Sequence, residues 1–141
     1  QIDYVTAITK KQMRELKRAH KICVLGLSFK PGTSDIRVSP SIALVKQLQK
    51  LKMNINVFDP RAMVEAKMEL KDKNIIFAKN SKEAIKGADI IILATQWPEF
   101  KKIDFRKFRD KRKKQIFIDT RNVMDKEMLE AIGFEYVGIG R

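Results

Sequence analysis

Cysteine and histidine occur once each in this chain, as Cys23 and His20. One cysteine excludes an internal disulfide, and the pair falls short of a Cys/His zinc site. A metal would have to rest on carboxylates, and no suitable cluster is visible. Long apolar runs are missing too: nothing approaches the roughly eighteen residues of a membrane span, so no membrane partner is expected. The opening Gln1-Ile2-Asp3-Tyr4-Val5 lacks the basic-then-apolar layout of a signal peptide. The lone thiol fits a reducing, cytoplasmic setting. No methionine opens the chain, and the expectation is a piece of a longer polypeptide. Internal repeats and low-complexity segments are also lacking.

Negative charge is the minority. Lys and Arg number 30 against 17 Asp and Glu, a formal net charge of +13. Such a balance attracts nucleotides, nucleic acid or acidic membranes, or it is simply a lysine-rich surface. The densest stretch is 101–114, with two phenylalanines among its cations. Phe105 and Phe108 fall at helical spacing and read as the buried face of a short basic helix, so no nucleic-acid partner is expected. The 141 residues, 44% hydrophobic, suit one compact domain with a real core.

Apolar runs and helical periodicities alternate. Residues 4–19 read as an amphipathic helix through Val5, Ile8, Met13 and Leu16. Strands are expected at 21–27, 54–58, 74–78, 89–95, 115–118 and 134–139, the 89–95 run being the most apolar and hence central. Helices are expected from Ser39-Pro40 onward, with Ser39 as N-cap and Pro40 at the first helical position, and at 62–70, 81–86 and 125–132. Gly87 and Gly133 close the last two of these. Strands that are short and apolar on both faces imply an α/β fold: a Rossmann-like three-layer sandwich with a mostly parallel sheet, preceded by an N-terminal helix.

In such sheets ligands bind beyond the carboxyl ends of the strands. Three loops with chemistry-bearing residues lie there: 29–37, 95–99 and 119–122. The first sits between a strand and a helix start, a place suited to anions. It departs from the dinucleotide fingerprint, because after Gly26 no glycine occurs until Gly32, and G-x-G-x-x-G is absent. Lys30 and Arg37 offer side-chain charge instead, a point charge and a fork; the other reading makes them solvated loop cations. Arg121 either pairs with a nearby acid such as Asp35 or Asp119, or reaches a ligand. Asp59 either binds a ribose hydroxyl or forms the turn before Pro60. Trp97 either stacks on a base or closes a helix–sheet gap. Cys23 lies inside the first strand and reads as core; His20 reads as a surface residue.

The segment Gly26-Leu-Ser-Phe29-Lys30-Pro-Gly-Thr-Ser-Asp35-Ile-Arg37-Val-Ser39-Pro40 resembles the G-x-[AS]-[FY]-K-x-x-[TS]-x-D-x-R-x-[ST]-P signature of the nucleotide-sugar 6-dehydrogenases, the UDP-glucose/GDP-mannose dehydrogenase family. Val57-Phe58-Asp59-Pro60, Ala94-Thr95-Gln96-Trp97-Pro98-Glu99-Phe100 and Ile118-Asp119-Thr120-Arg121-Asn122 are similar to further family blocks in the same order. Gln96 departs from the family, which often has Glu or His there. The likeness covers residues 21–141 and concerns only the C-terminal, UDP-sugar-binding domain, with residues 1–20 as the end of a connecting helix.

The resemblance implies an NAD-dependent UDP-glucose 6-dehydrogenase that oxidises the sugar C6 alcohol to a carboxylate in two steps. The other readings are a UDP-N-acetylmannosamine or GDP-mannose dehydrogenase domain, or a non-catalytic nucleotide- or anion-binding module. Phe29, Lys30 and Arg121 match positions that contact the nucleotide sugar, and Arg37 matches one that touches NAD held by a separate N-terminal domain. The family's catalytic cysteine motif has no match here, and Cys23 does not take its role. The family also implies a homodimer for the full-length enzyme, polysaccharide biosynthesis as its setting, and no turnover by this stretch alone.

Overall fold

The computed structural model describes residues 1–15 and 20–139. Six strands form one parallel sheet: β1 (Lys21–Leu25), β2 (Asn54–Phe58), β3 (Ile75–Phe77), β4 (Ile90–Leu93), β5 (Ile116–Asp119) and β6 (Glu135–Gly138). The spatial order is β3-β2-β1-β4-β5-β6, and every neighbouring pair is parallel. This is the doubly wound order, whose topological switch lies between β1 and β4. The expected central 89–95 run is one of the two middle strands.

The strands are hydrophobic throughout because both faces are covered. Ile22, Val24, Ile55, Val57, Ile90, Ile92, Ile116 and Ile118 point into one core. The alternate residues Cys23, Leu25, Ile91, Leu93 and Phe117 point into the other, where Phe105, Phe117 and Phe134 meet edge to face. Burying such a side chain is worth about 1.5–3 kcal/mol, so these two layers dominate the stability.

Helices α1 (Ile2–Glu15), α2 (Pro40–Gln49), α3 (Met63–Glu69), α4 (Ser81–Ile85), α5 (Pro98–Lys101) and α6 (Lys126–Ile132) complete the layers. Their starts follow local chemistry. The Ser39 hydroxyl accepts from Ile42 N, Asn80 Oδ1 from Glu83 N and Asp125 Oδ1 from Met128 N. Gly133 ends α6 at φ +114°, the left-handed conformation that glycine adopts without a side-chain penalty.

Some boundaries differ from the sequence reading. Helix α1 buries Val5, Thr9 and Gln12, and it packs on α2. The expected helix reached residue 19, but Leu16 to Ala19 lie outside the described residues. The 95–99 segment is not all loop, because Pro98 opens the single turn α5. Phe105–Phe108 is one 3₁₀ turn rather than a helix; its Phe105 is buried and its Phe108 only partly so. Gln115 stands before β5 rather than in it: its buried side-chain amide is used up on Ala88 O, Phe108 O, Asp110 N and Arg109 Nη1. Among the described residues no helix is long and apolar enough to cross a membrane.

Candidate functional site

The switch point is closed at its base. Gly26, directly after β1, has φ +100° and donates its N–H to Phe58 O at 2.8 Å. Leu25 O accepts from both Ala94 N and Thr95 N, which draws the ends of β1 and β4 together. The crevice that holds a pyrophosphate in a dinucleotide cradle is here filled by the Thr95 side chain, whose hydroxyl meets Ser41 Oγ at 3.1 Å and donates to Ser28 O at 2.9 Å. The 26–38 loop therefore stands on a packed polar floor rather than over an open glycine turn.

Asp59, 1% exposed, is the centre of that floor. Its Oδ2 accepts from Leu27 N at 2.8 Å, Ser28 N at 2.9 Å and Trp97 Nε1 at 3.1 Å. Its Oδ1 accepts from Arg61 N and Ala62 N, both at 2.9 Å. Burial alone would raise the carboxyl's pKa, but the bonds from the Leu27, Arg61, Ser28 and Ala62 amides outweigh it and hold the group below its ordinary range. Of the two sequence readings of Asp59, the turn before Pro60 is the one seen, extended into a clasp on the β1 loop. Trp97 closes the gap between layers, with its indole N–H also 3.2 Å from Ser28 Oγ.

Above this floor Phe29 is 45% exposed and Lys30 is exposed. Ser28 Oγ donates to Lys30 O, and Phe29 N donates to Asp35 O at 2.7 Å, so the loop's backbone is fixed while its side chains project. The Lys30 ammonium has no protein partner among the described residues. Arg37 does have one: it forms a two-pronged bond to Asp35, with Nε and Nη2 each at 3.1 Å. Its side chain is still 88% exposed.

Arg121 follows β5. Its backbone N–H binds Asp119 Oδ1 at 3.1 Å, and its Nε donates to Ala94 O at 3.0 Å. The guanidinium pairs with neither Asp35 nor Asp119, and its two Nη groups have no protein partner among the described residues. Buried Asp119 fixes the loop: its Oδ2 accepts from Met124 N and the Tyr136 hydroxyl, each at 2.8 Å. Arg121 lines a small cleft with Ile2, Val5, Pro40, Leu44 and Ala94, and Lys30 is not on that wall. The loops that carry Lys30 and Arg121 leave the same edge of the sheet from β1 and β5, which have one strand, β4, between them. At about 4.8 Å per strand that separation is roughly 10 Å.

Cys23 is fully buried, and burial pushes its thiol far up, so it offers no nucleophile. His20 is half-buried. Among the described residues no group of three or more His, Cys, Asp or Glu could hold a metal. The residues present do not form a cradle for a nicotinamide dinucleotide. Gly26 packs against Thr95, and both Asp59 oxygens are occupied, so the acid at the end of β2 has no acceptor left for ribose. The sequence reading missed Thr95, Ser41 and Ser28 as parts of the site's floor. The signal was there as hydroxyl residues at the ends of otherwise apolar runs.

The comparisons agree with this geometry. Residues 23–126 match the UDP-glucose/GDP-mannose dehydrogenase family, UDP binding domain. A UDP-glucose 6-dehydrogenase from Rickettsia conorii is 40% identical over 123 residues, which are 87% of this chain and 28% of that protein. The fold superposes on a UDP-glucose dehydrogenase from the hyperthermophilic archaeon Pyrobaculum islandicum with TM-score 0.79 and 25% identity, covering 98% of this chain and 29% of that one. It superposes on a UDP-D-ManNAc dehydrogenase from Pyrococcus horikoshii with TM-score 0.70 and 27% identity, covering 98% and 30%. The chain spans under a third of the length of these relatives. The family model covers most of the sequence, and the strand-end loops that carry its motifs lie together on one edge of a doubly wound sheet: this chain belongs to the UDP-glucose/GDP-mannose dehydrogenase family, as its UDP binding domain.

Proposed function

We propose that this chain holds the nucleotide-sugar substrate of an NAD-dependent UDP-glucose 6-dehydrogenase, the enzyme that oxidises the sugar C6 alcohol to a carboxylate. The observation that carries the reading is the pair of unpartnered cations, the Lys30 ammonium and the Arg121 Nη groups, at one edge of the sheet on loops whose backbones are tied down. A diphosphate accepts well from a lysine point charge and an arginine fork. Phe29 supplies an exposed ring beside Lys30 for the apolar part of the nucleotide. With the loop backbones held before the ligand arrives, binding costs side-chain freedom but little backbone freedom.

NAD belongs to this reading as the hydride acceptor, with Arg37 as this chain's contact to it. Its support is an exposed guanidinium on the loop that leads into α2, and the rest of the cofactor's site lies in other parts of the enzyme. The same holds for the catalytic thiol, since Cys23 is sealed in the core. The family's homodimer and a cytoplasmic setting are part of the proposal; the lone reduced thiol supports the setting.

Calorimetric titration of the purified protein with UDP, UMP and ADP tests the substrate reading. UDP is expected to bind more tightly than UMP, because the second phosphate adds an anion for the cations, and more tightly than ADP. Equal heats for UDP and ADP, or none for UDP, would overturn it.

A further inference from the structure

Asp59 carries no free acceptor, yet it binds three of the segments that meet at the substrate loop. One carboxylate oxygen gathers the amides of Leu27 and Ser28 with the Trp97 indole; the other gathers the amides of Arg61 and Ala62. The first two lie just before Phe29 and Lys30. The third belongs to the segment after β4. The last two lead into α3. Five donors from three segments converge on a group that is 1% exposed. The link continues outward: Ser28 Oγ lies 3.2 Å from Trp97 Nε1 and donates to Lys30 O at 3.1 Å. Arg61 Nη1, on the same turn, reaches Gly32 O at 3.3 Å, in the middle of the loop.

We infer that Asp59 is a positioning residue for nucleotide-sugar binding: through Ser28 and Trp97 it sets where the Phe29 ring and the Lys30 ammonium stand, and it takes no part in contacting ribose. The inference rests on the proposed substrate reading for its consequence in affinity, but not for its structural content. In a dinucleotide cradle the β1 loop is shaped by glycines, and the acid after β2 is left to face the ribose. Here the glycine spacing is missing, and the acid has turned inward to do the shaping. A negative charge is needed because an ionised carboxylate is acceptor-only on both oxygens; its lone pairs take the four amides and share the Trp97 N–H with Ser28 Oγ. An amide in its place would turn an N–H toward the same donors.

The test uses Asp59→Asn and Trp97→Phe, with Leu129→Ala as a control that loosens the packing of α6 on β6, the strand at the far edge of the sheet from β2. Two readouts separate the inference from the substrate reading. Without any ligand, amide hydrogen exchange at Phe29 and Lys30 is expected to quicken at least tenfold in both loop variants relative to the control at matched stability. With UDP, calorimetry is expected to show at least tenfold weaker binding for Asp59→Asn, a smaller loss for Trp97→Phe, and wild-type affinity for Leu129→Ala. If Asp59→Asn does not fold, Trp97→Phe carries both measurements. Unchanged exchange at Phe29 and Lys30 in a folded loop variant overturns the inference, as does wild-type UDP affinity in such a variant. If the wild type binds no UDP while the exchange result holds, the substrate reading fails and the positioning role stands.

Discussion

The α-carbon of Gly26 faces Thr95 so closely that a β-carbon added to it would stand 2.4 Å from Thr95 Cβ and 2.5 Å from Thr95 N. The second of these is backbone and cannot swing away. The ends of the two central strands are locked at this contact, and the 26–38 loop starts from it.

Gly26→Ala is therefore expected to cost about 3 kcal/mol or more, the sum of overpacking and of alanine at φ +100°. Thermal unfolding checks this. A variant melting within a few degrees of wild type would mean that β1 and β4 part more easily than the contact implies.

Lys30→Ala and Arg121→Ala should behave differently from each other in stability. The Lys30 ammonium has no protein partner, so its loss should leave the melting temperature unchanged while weakening UDP by ~10- to 100-fold, the worth of one charge-assisted bond of about 1.5–3 kcal/mol. Arg121 also donates to Ala94 O, so its truncation should weaken UDP and lower stability together. Calorimetry paired with thermal melts distinguishes the two patterns.

Asp59 should make the protein acid-sensitive. Its folded pKa lies below its ordinary value, because four backbone amides overcome the cost of burial. The stability it contributes is thus complete above the unfolded value, about 3.9, and is lost as pH falls through the lower folded value. The gap in melting temperature between wild type and Asp59→Asn should be constant near neutrality and narrow below about pH 4. A gap independent of pH down to acid unfolding would show that the carboxylate's charge is not what holds the loop.

Tyr136→Phe removes the hydroxyl that binds buried Asp119 Oδ2. The expected loss is about 1–3 kcal/mol, read by denaturant unfolding. Faster amide exchange at Arg121 is expected with it, since Asp119 Oδ1 holds that N–H. An Arg121 amide as protected as in wild type would show that Asp119 stays in place without the tyrosine.

Cys23 should be inert in the folded protein. It is fully buried, and burial pushes its thiol well above the usual range. A thiol reagent at pH 8 is expected to label nothing until denaturant is added, and then one site per chain. Rapid labelling under native conditions would place an opening in β1 that the packing does not allow.

Much of this was legible in the residues alone. Isoleucine and valine runs such as Ile90–Leu93 announce a strand buried on both faces, and Ser39-Pro40 announces a helix start, because these signals depend on neighbours in sequence. The membership of the family through the Gly26 to Pro40 signature was legible for the same reason: the motif is contiguous. Tertiary structure decided the partners. Whether Arg121 answers to Asp119 or stays open, whether Asp59 faces ribose or clasps the loop, and whether Trp97 stacks or seals all depend on atoms brought together across 25 or more positions of chain. Hydrogen bonds are short and directional, and only the packed sheet, with its strand order and register, says which donor meets which acceptor.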